Sequence, residues 1–367
     1  MSVLLFILIL VALVIGHECG HFIMAKLSGM RVPEFGIGFP PKLWGKKIGT
    51  TEYTVNALPF GGFVKIDGED PSQEPGRGVG DAEMFYNRPT YLQALTLFAG
   101  PFANLLIALL LSSLAFISGV PAALNSGYDD SYIKDPHVLV VGVLAGSPSD
   151  NADIKDGDSV VSLTVNGHAH RVGRPEDIAP LIQNAEGEVG LVLMRQGKLI
   201  SISLSPIQGL VAEDPARKAL GIATAAVGTL TLPLLPALRA GFDETMHNIG
   251  TVFSGITSLI GQALTFSANL AGVTGPVGIA HLVGDATTFG FGSILSLAAL
   301  ISINLGVINL FPFPALDGGR LALLAIEAVS GKRVPPKIAN VLNTVGFALL
   351  ILLMLAVTAH DISRLIA

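Results

Sequence analysis

The chain has 367 residues, half of them hydrophobic and only 14% charged, with a net charge of −6. An ordinary globular protein carries about 25% charged residues, so this composition excludes a soluble protein of that kind. The mild negative charge excludes a nucleic-acid partner, and a single cysteine excludes an intramolecular disulfide framework.

Residues 1–28 contain VLLFILILVALVI followed by GHECGH, and predict a transmembrane helix over about 3–27. No basic segment precedes the apolar run and no small-residue cleavage site follows it, so it reads as a retained span, not a signal peptide. Glu18 stands where a lipoprotein signal needs a small residue. Residues four apart share a helix face, so His17 and His21 converge on one point, the HExxH arrangement that suits zinc. Glu18 lies about 100° further round, beside that face, where it can take a proton from a metal-bound water without being a ligand. Cys19, about 200° from His17, is expected to pack as a small hydrophobe. Three ionisable side chains on one span favour a metal site over simple helix–helix pairing.

Residues 29–90 form a β-rich loop in which VPEFGIGFPPKLWG and TEYTVNALPFGGFVKIDGE read as short strands broken by Gly and Pro. The 67–81 stretch is polar and Gly/Pro-rich, a mobile loop by composition. Residues 91–120 give a second span over about 92–119, in which Gly100–Pro101 weakens the hydrogen-bond ladder and predicts a bend or a packing kink. Residues 134–207 change character to strand-like runs around a short helix, PEDIAPLIQNA, and resemble a PDZ domain, a module that captures extended peptides or free C-termini. His168 and His170 fall in its turn region as solvated residues. The 208–291 segment reads as amphipathic linker helices resting on the membrane face or on the PDZ-like domain, followed by a GPVG turn. Residues 292–316 hold a third span, about 293–313, and 317–338 a DGG turn with a short helix. Residues 339–360 hold a fourth span, about 339–358.

Eight Lys/Arg in 26–90 and four in 318–337 orient both loops towards the cytoplasm, with 129–291 outside. The expected fold is a polytopic α-helical membrane protein of four transmembrane helices. It carries a re-entrant or cytoplasmic β-hairpin sheet and one inserted extracytoplasmic PDZ-like α+β domain. A catalytic zinc needs a third protein ligand, with the fourth position left open. Asp317, at the end of an uncharged span and before two glycines, is the first candidate; Asp285 and Glu327 are the others. Asp317 could instead cap a helix over 319–330.

HECGH, GPFAN in the second span and INLFPFPALDGG in the third resemble the site-2 protease family of intramembrane zinc metalloproteases, in its bacterial branch with an inserted PDZ domain. The resemblance runs from the first helix to TAHDISRL. It implies one zinc ion on His17, His21 and Asp317, Glu18 as general base, and Asn309 holding substrate or stabilising charge. Asn104 matches the Asn of the GPxxN motif. It also supports a re-entrant sheet over 29–90 and implies single-span substrates, such as anti-sigma factors or remnant signal peptides, cut in the inner membrane. Partners are then these substrates, membrane lipid, and a peptide or C-terminus at the PDZ-like domain. Relatives often carry two PDZ modules where one fits here, and usually an apolar residue at the place of Cys19. The competing readings are a catalytically inactive, zinc-containing PDZ scaffold and a metal transporter; spans two and four offer too few polar residues for the latter.

Overall fold

A computed structural model describes residues 2–69, 81–124, 126–195, 197–211, 214–265 and 274–366. The chain divides into a helical unit (Met1–Ala115, Leu234–Thr287 and Phe291–Ala367) and a sheet unit (Phe116–Pro233 with Thr288–Gly290).

An apolar run without water partners must satisfy its own backbone, which makes it helical. Helix α1 (Ser2–Leu27) buries Leu13, His17, His21 and Ala25, a stripe of period four, while Leu4, Leu8 and Ile23 stay exposed. Strands β1 (Glu34–Ile48) and β2 (Thr51–Lys65) pair antiparallel. The 34–37 segment is central in this sheet: Gly36 is partnered by Thr54 and by Phe63. Phe22 of α1 meets the rings of Phe35 and Tyr53, so the sheet is seated on the first span. Apart from its ends, the 67–81 stretch lies outside the described residues. Helix α2 (Thr90–Ser118) runs through Gly100 and Pro101 without interruption. Thr96, Gly100, Asn104, Ala108 and Ser112, again four apart, are its buried face.

The sheet unit is wider than the expected 134–207. Strands β3 (Val120–Ala123), β4 (Ile133–Val143), β5 (Ser159–Val165), β6 (His168–Arg171), β7 (Val189–Arg195), β8 (Lys198–Leu204) and β9 (Ile222–Leu230) form one sheet in the order β3-β9-β4-β5-β7-β8, with β6 on β5. The short helices α3 (Pro148–Asn151) and α4 (Ile178–Gln183) complete it. Alternating Val and Leu supply its core: Val138, Val140, Val160, Leu163, Leu191 and Leu193 are buried with Ile178 and Ile182 of α4. Strand β9, IATAAVGTL, has weak strand character of its own. It is a strand because β4 and β3 flank it, tertiary pairing overriding propensity. His168 and His170 sit in strand β6, not in a turn; His168 is exposed.

The chain then forms α5 (Leu234–Leu264), α6 (Pro276–Thr288), α7 (Phe291–Leu310), α8 (Asp317–Ser330) and α9 (Pro336–Ile366). Of the described helices, α1, α2, α7 and residues 336–363 of α9 are long and apolar enough to cross a membrane, within a few residues of the expected spans. Helix α5 has two apolar sides: Leu238, Phe242, Met246 and Phe253 stay exposed, while another stripe is packed. Its Ile249, Val252 and Ile256 pack against Ala108 of α2 and Ala299, Ile303 and Val307 of α7. Helix α9 continues past the expected end at 360, and its Asp361 turns inward. It is buried and accepts the N–H groups of Gly275 (3.2 Å) and Gly278 (2.9 Å), the orphan donors at the start of α6. Part of the expected turn over 272–280, Gly272 and Val273, lies outside the described residues.

Candidate metal centre

The period of α1 brings the two histidines together, and α8 brings the carboxylate to them. His17 Nε2 and His21 Nε2 are 3.1 Å apart, and Asp317 Oδ2 lies 3.1 Å from the first and 3.3 Å from the second. A tetrahedral ion with bonds of ~2.0–2.1 Å holds its ligands about 3.3 Å apart, so this triangle has the edge lengths of one face of a zinc site. Asp317 Oδ2 is buried and has no hydrogen-bond donor. A buried carboxylate oxygen among imidazole nitrogens calls for a cation, and two imidazoles with one carboxylate are a donor set that zinc takes in catalytic sites. Among the described residues this is the one cluster of three such groups, and Cys19 is outside it.

Each histidine is oriented from behind by α2. His21 Nδ1–H donates to the Thr96 carbonyl at 2.8 Å, which leaves the Nε2 lone pair facing the site. Gly100 makes room for this ring: a Cβ there would stand 2.1 Å from His21 Nε2. The Asn104 carboxamide is 3.2 Å from His17 Nδ1 through its nitrogen, while its oxygen is buried without a donor. Amide O and N exchange by a 180° rotation. Metal ligation through Nε2 requires an acceptor at Nδ1, which the rotated Asn104 supplies. Ser302 of α7 donates to the Asn104 carbonyl at 2.7 Å and fixes that turn of α2. The GPFAN motif is therefore the backing of the site and leaves no break in the helix.

Asp317 is placed by backbone contact. It opens α8, but Leu316 is the cap residue and no side chain caps the helix, so the carboxylate is free to face the histidines. Gly318 and Gly319 allow this. A Cβ on either would lie 2.2 Å from the carbonyl oxygen of Phe311 or Phe313. Ala315, at φ 74°, gives its N–H to Asn343 Oδ1 at 3.3 Å, tying the turn to α9. The other candidate ligands are engaged elsewhere: Asp285 pairs with His281 at 3.1 Å, and Glu327 accepts the Val334 N–H at 2.7 Å.

Glu18 accepts the Val64 N–H at 3.0 Å, so the 62–65 segment of β2 runs alongside it. A cavity of about 250 Å³ is lined by His17, Glu18, Asn104, Asn309 and Asp317, with Val14 and Leu305 on its apolar side. His17, both carboxylates and both asparagines thus share one space. Sequence reasoning missed Thr96 and Val64. Both contribute backbone groups, which any residue offers, and no residue type announces them.

The sequence model of peptidase family M50 matches residues 5–353. A Clostridium perfringens protein provisionally named a zinc metalloprotease is 35% identical over 354 residues, 96% of this chain and 95% of its own. The zinc metalloprotease RasP of Geobacillus kaustophilus is 30% identical over an alignment of 441 residues, covering 99% of this chain and 98% of its own. The regulator of sigma-W protease RasP of Bacillus subtilis is 28% identical over 445, covering 99% of each.

Proposed function

The chain belongs to peptidase family M50, and on that premise we propose that it is an intramembrane zinc metalloprotease of the bacterial inner membrane. Its substrates are single-span membrane proteins, such as anti-sigma factors or remnant signal peptides, cut as the second step of regulated intramembrane proteolysis. The observation that carries this reading is the His17–His21–Asp317 triangle with its donorless carboxylate oxygen, opening on the cavity that also holds Glu18. A structural zinc usually has four protein ligands. Three ligands, of which His17 and Asp317 line a cavity shared with Glu18, favour catalysis over a scaffold.

His17, His21 and Asp317 would hold the ion, which when bound lowers the pKa of a water towards ~7 and polarises a carbonyl. Glu18 takes the proton that the attacking water gives up and returns it to the leaving amine, a contribution of about 10²–10⁴ in rate. Asn309, in the same cavity, donates to the oxyanion as the tetrahedral centre forms. A helical substrate must unwind here, and its freed backbone needs partners within the membrane. The 62–65 segment beside Glu18 supports strand addition by β2 as that partner. The PDZ-like unit, outside the membrane, acts as a size filter or tether on the substrate's external part.

The test is cleavage of a model single-span substrate by wild type and Glu18→Gln, with zinc content measured in both. Retained zinc with cleavage reduced by two orders of magnitude or more is expected. Unchanged cleavage would sink the role given to Glu18.

A further inference from the structure

A second cavity of the helical unit, about 810 Å³, shares no lining residue with the metal centre. Thr90 and Pro336, the first residues of α2 and α9, both line it, so it opens where two apolar spans begin. Its ionisable lining is Arg88, Arg320, Lys332 and Arg333 against Glu69 and Glu327, four bases to two acids. Both acids are already engaged: Glu69 pairs with Arg320, and Glu327 accepts the Val334 N–H. Arg88 donates through Nη2 to the Gly29 carbonyl, but its Nε–H is buried and has no acceptor among the described residues. Arg333 is held over the Tyr86 ring, 5.7 Å from its centre, by a bond to the Tyr86 carbonyl. Leu97, Leu323 and Leu324 form an apolar wall, and Leu97 lies two turns inside the α2 span.

We propose that this cavity binds an anionic phospholipid. The headgroup phosphate meets Arg88, Lys332 and Arg333, and the first acyl carbons lie along Leu97, Leu323 and Leu324. A net positive rim selects an anionic headgroup over a zwitterionic one, as basic pockets between spans do on the side of the membrane bearing anionic lipid. The apolar wall continuing into a span is what a soluble anion would not need. The volume falls within the ~300–1,000 Å³ of small-ligand sites.

The full chain in detergent, titrated with phosphatidylglycerol, phosphatidylcholine or inorganic phosphate and read by native mass spectrometry, tests this. Phosphatidylglycerol should be retained in preference to phosphatidylcholine. Lys332→Gln/Arg333→Gln should weaken that retention roughly 25-fold, from about fivefold per basic group near a membrane surface. Unchanged zinc content shows that the variant is folded. Arg88→Gln, also checked for zinc, should act in the same direction. Equal retention of the two lipids by the wild type, or no change in the double variant, would overturn the assignment. Inorganic phosphate that binds and is not displaced by phosphatidylglycerol would overturn it too, giving the cavity to a soluble phosphate compound.

Discussion

Two aspartates, one in each unit, each with a buried carboxylate oxygen, show opposite solutions to the same problem. Asp158, in the sheet unit, has a side chain only 1% exposed. Arg195 Nε and Nη2 donate to its two oxygens at 2.7 Å each, and the Lys155 N–H adds a third bond at 3.0 Å. Burial opposes its charge, yet the Arg195 guanidinium holds the carboxyl below the usual carboxylate range. Asp317 faces two imidazole nitrogens and keeps Oδ2 without a donor. The chain closes the first carboxylate completely and leaves the second one ligand short. A complete pair holds a fold together; an incomplete one makes a place for something else.

The largest effect expected is at the incomplete carboxylate. Asp317→Ala should take zinc from one ion per chain to none, by metal analysis, and cleavage to background. Zinc retained at full stoichiometry would break the contrast. Next comes the backing of the site. Asn104→Ala should weaken zinc binding about 10- to 100-fold in chelator competition, the usual scale for a partner behind a ligating histidine; an unchanged affinity would remove Asn104 from the site.

At the complete pair, Asp158→Asn should destabilise the sheet unit by about 2–3 kcal/mol. This is below the cost of breaking a fully buried pair because Arg195 remains 24% exposed. Hydrogen exchange over 116–233 in the full chain reads this, and zinc content should not move. Because the folded carboxyl titrates below its unfolded value of about 3.9, its contribution is present above that pH and lost as pH falls through the folded value. Wild-type protection should therefore drop in acid where the Asn variant stays flat, and parallel profiles would remove the pair from the comparison. The smallest effect is Cys19→Ala, which should leave zinc stoichiometry unchanged; metal loss would mean that the helical period misplaced the thiol.

The helical half of the site was readable because period carries it. His17, His21 and the buried stripe of α1 follow from spacing four, and the uncharged blocks located all four spans. Spacing alone leaves Asp317 as the first of three candidates and the resemblance implies it; the turn around Gly318 and Gly319 carries it to the histidines. What stayed hidden has no side-chain signature: the Thr96 carbonyl behind His21, the Val64 N–H on Glu18, and β9, a strand only through its neighbours. Arg195 and Asp158 lie 37 residues apart, with nothing in either strand pattern to pair them. For α5, amphipathicity revealed an apolar stripe but not its partners, α2 and α7.

Gly100 and His21 occupy one volume, and this binds their histories together. While residue 21 is an imidazole, every side chain at 100 meets a clash, because its first carbon would fall on the ring. Once a descendant loses the histidine to a smaller residue, that restraint lifts and position 100 begins to drift. A lineage that has lost this imidazole should therefore show it twice: first at residue 21, and later as alanine or serine at residue 100. A return to histidine would then be barred until the glycine came back.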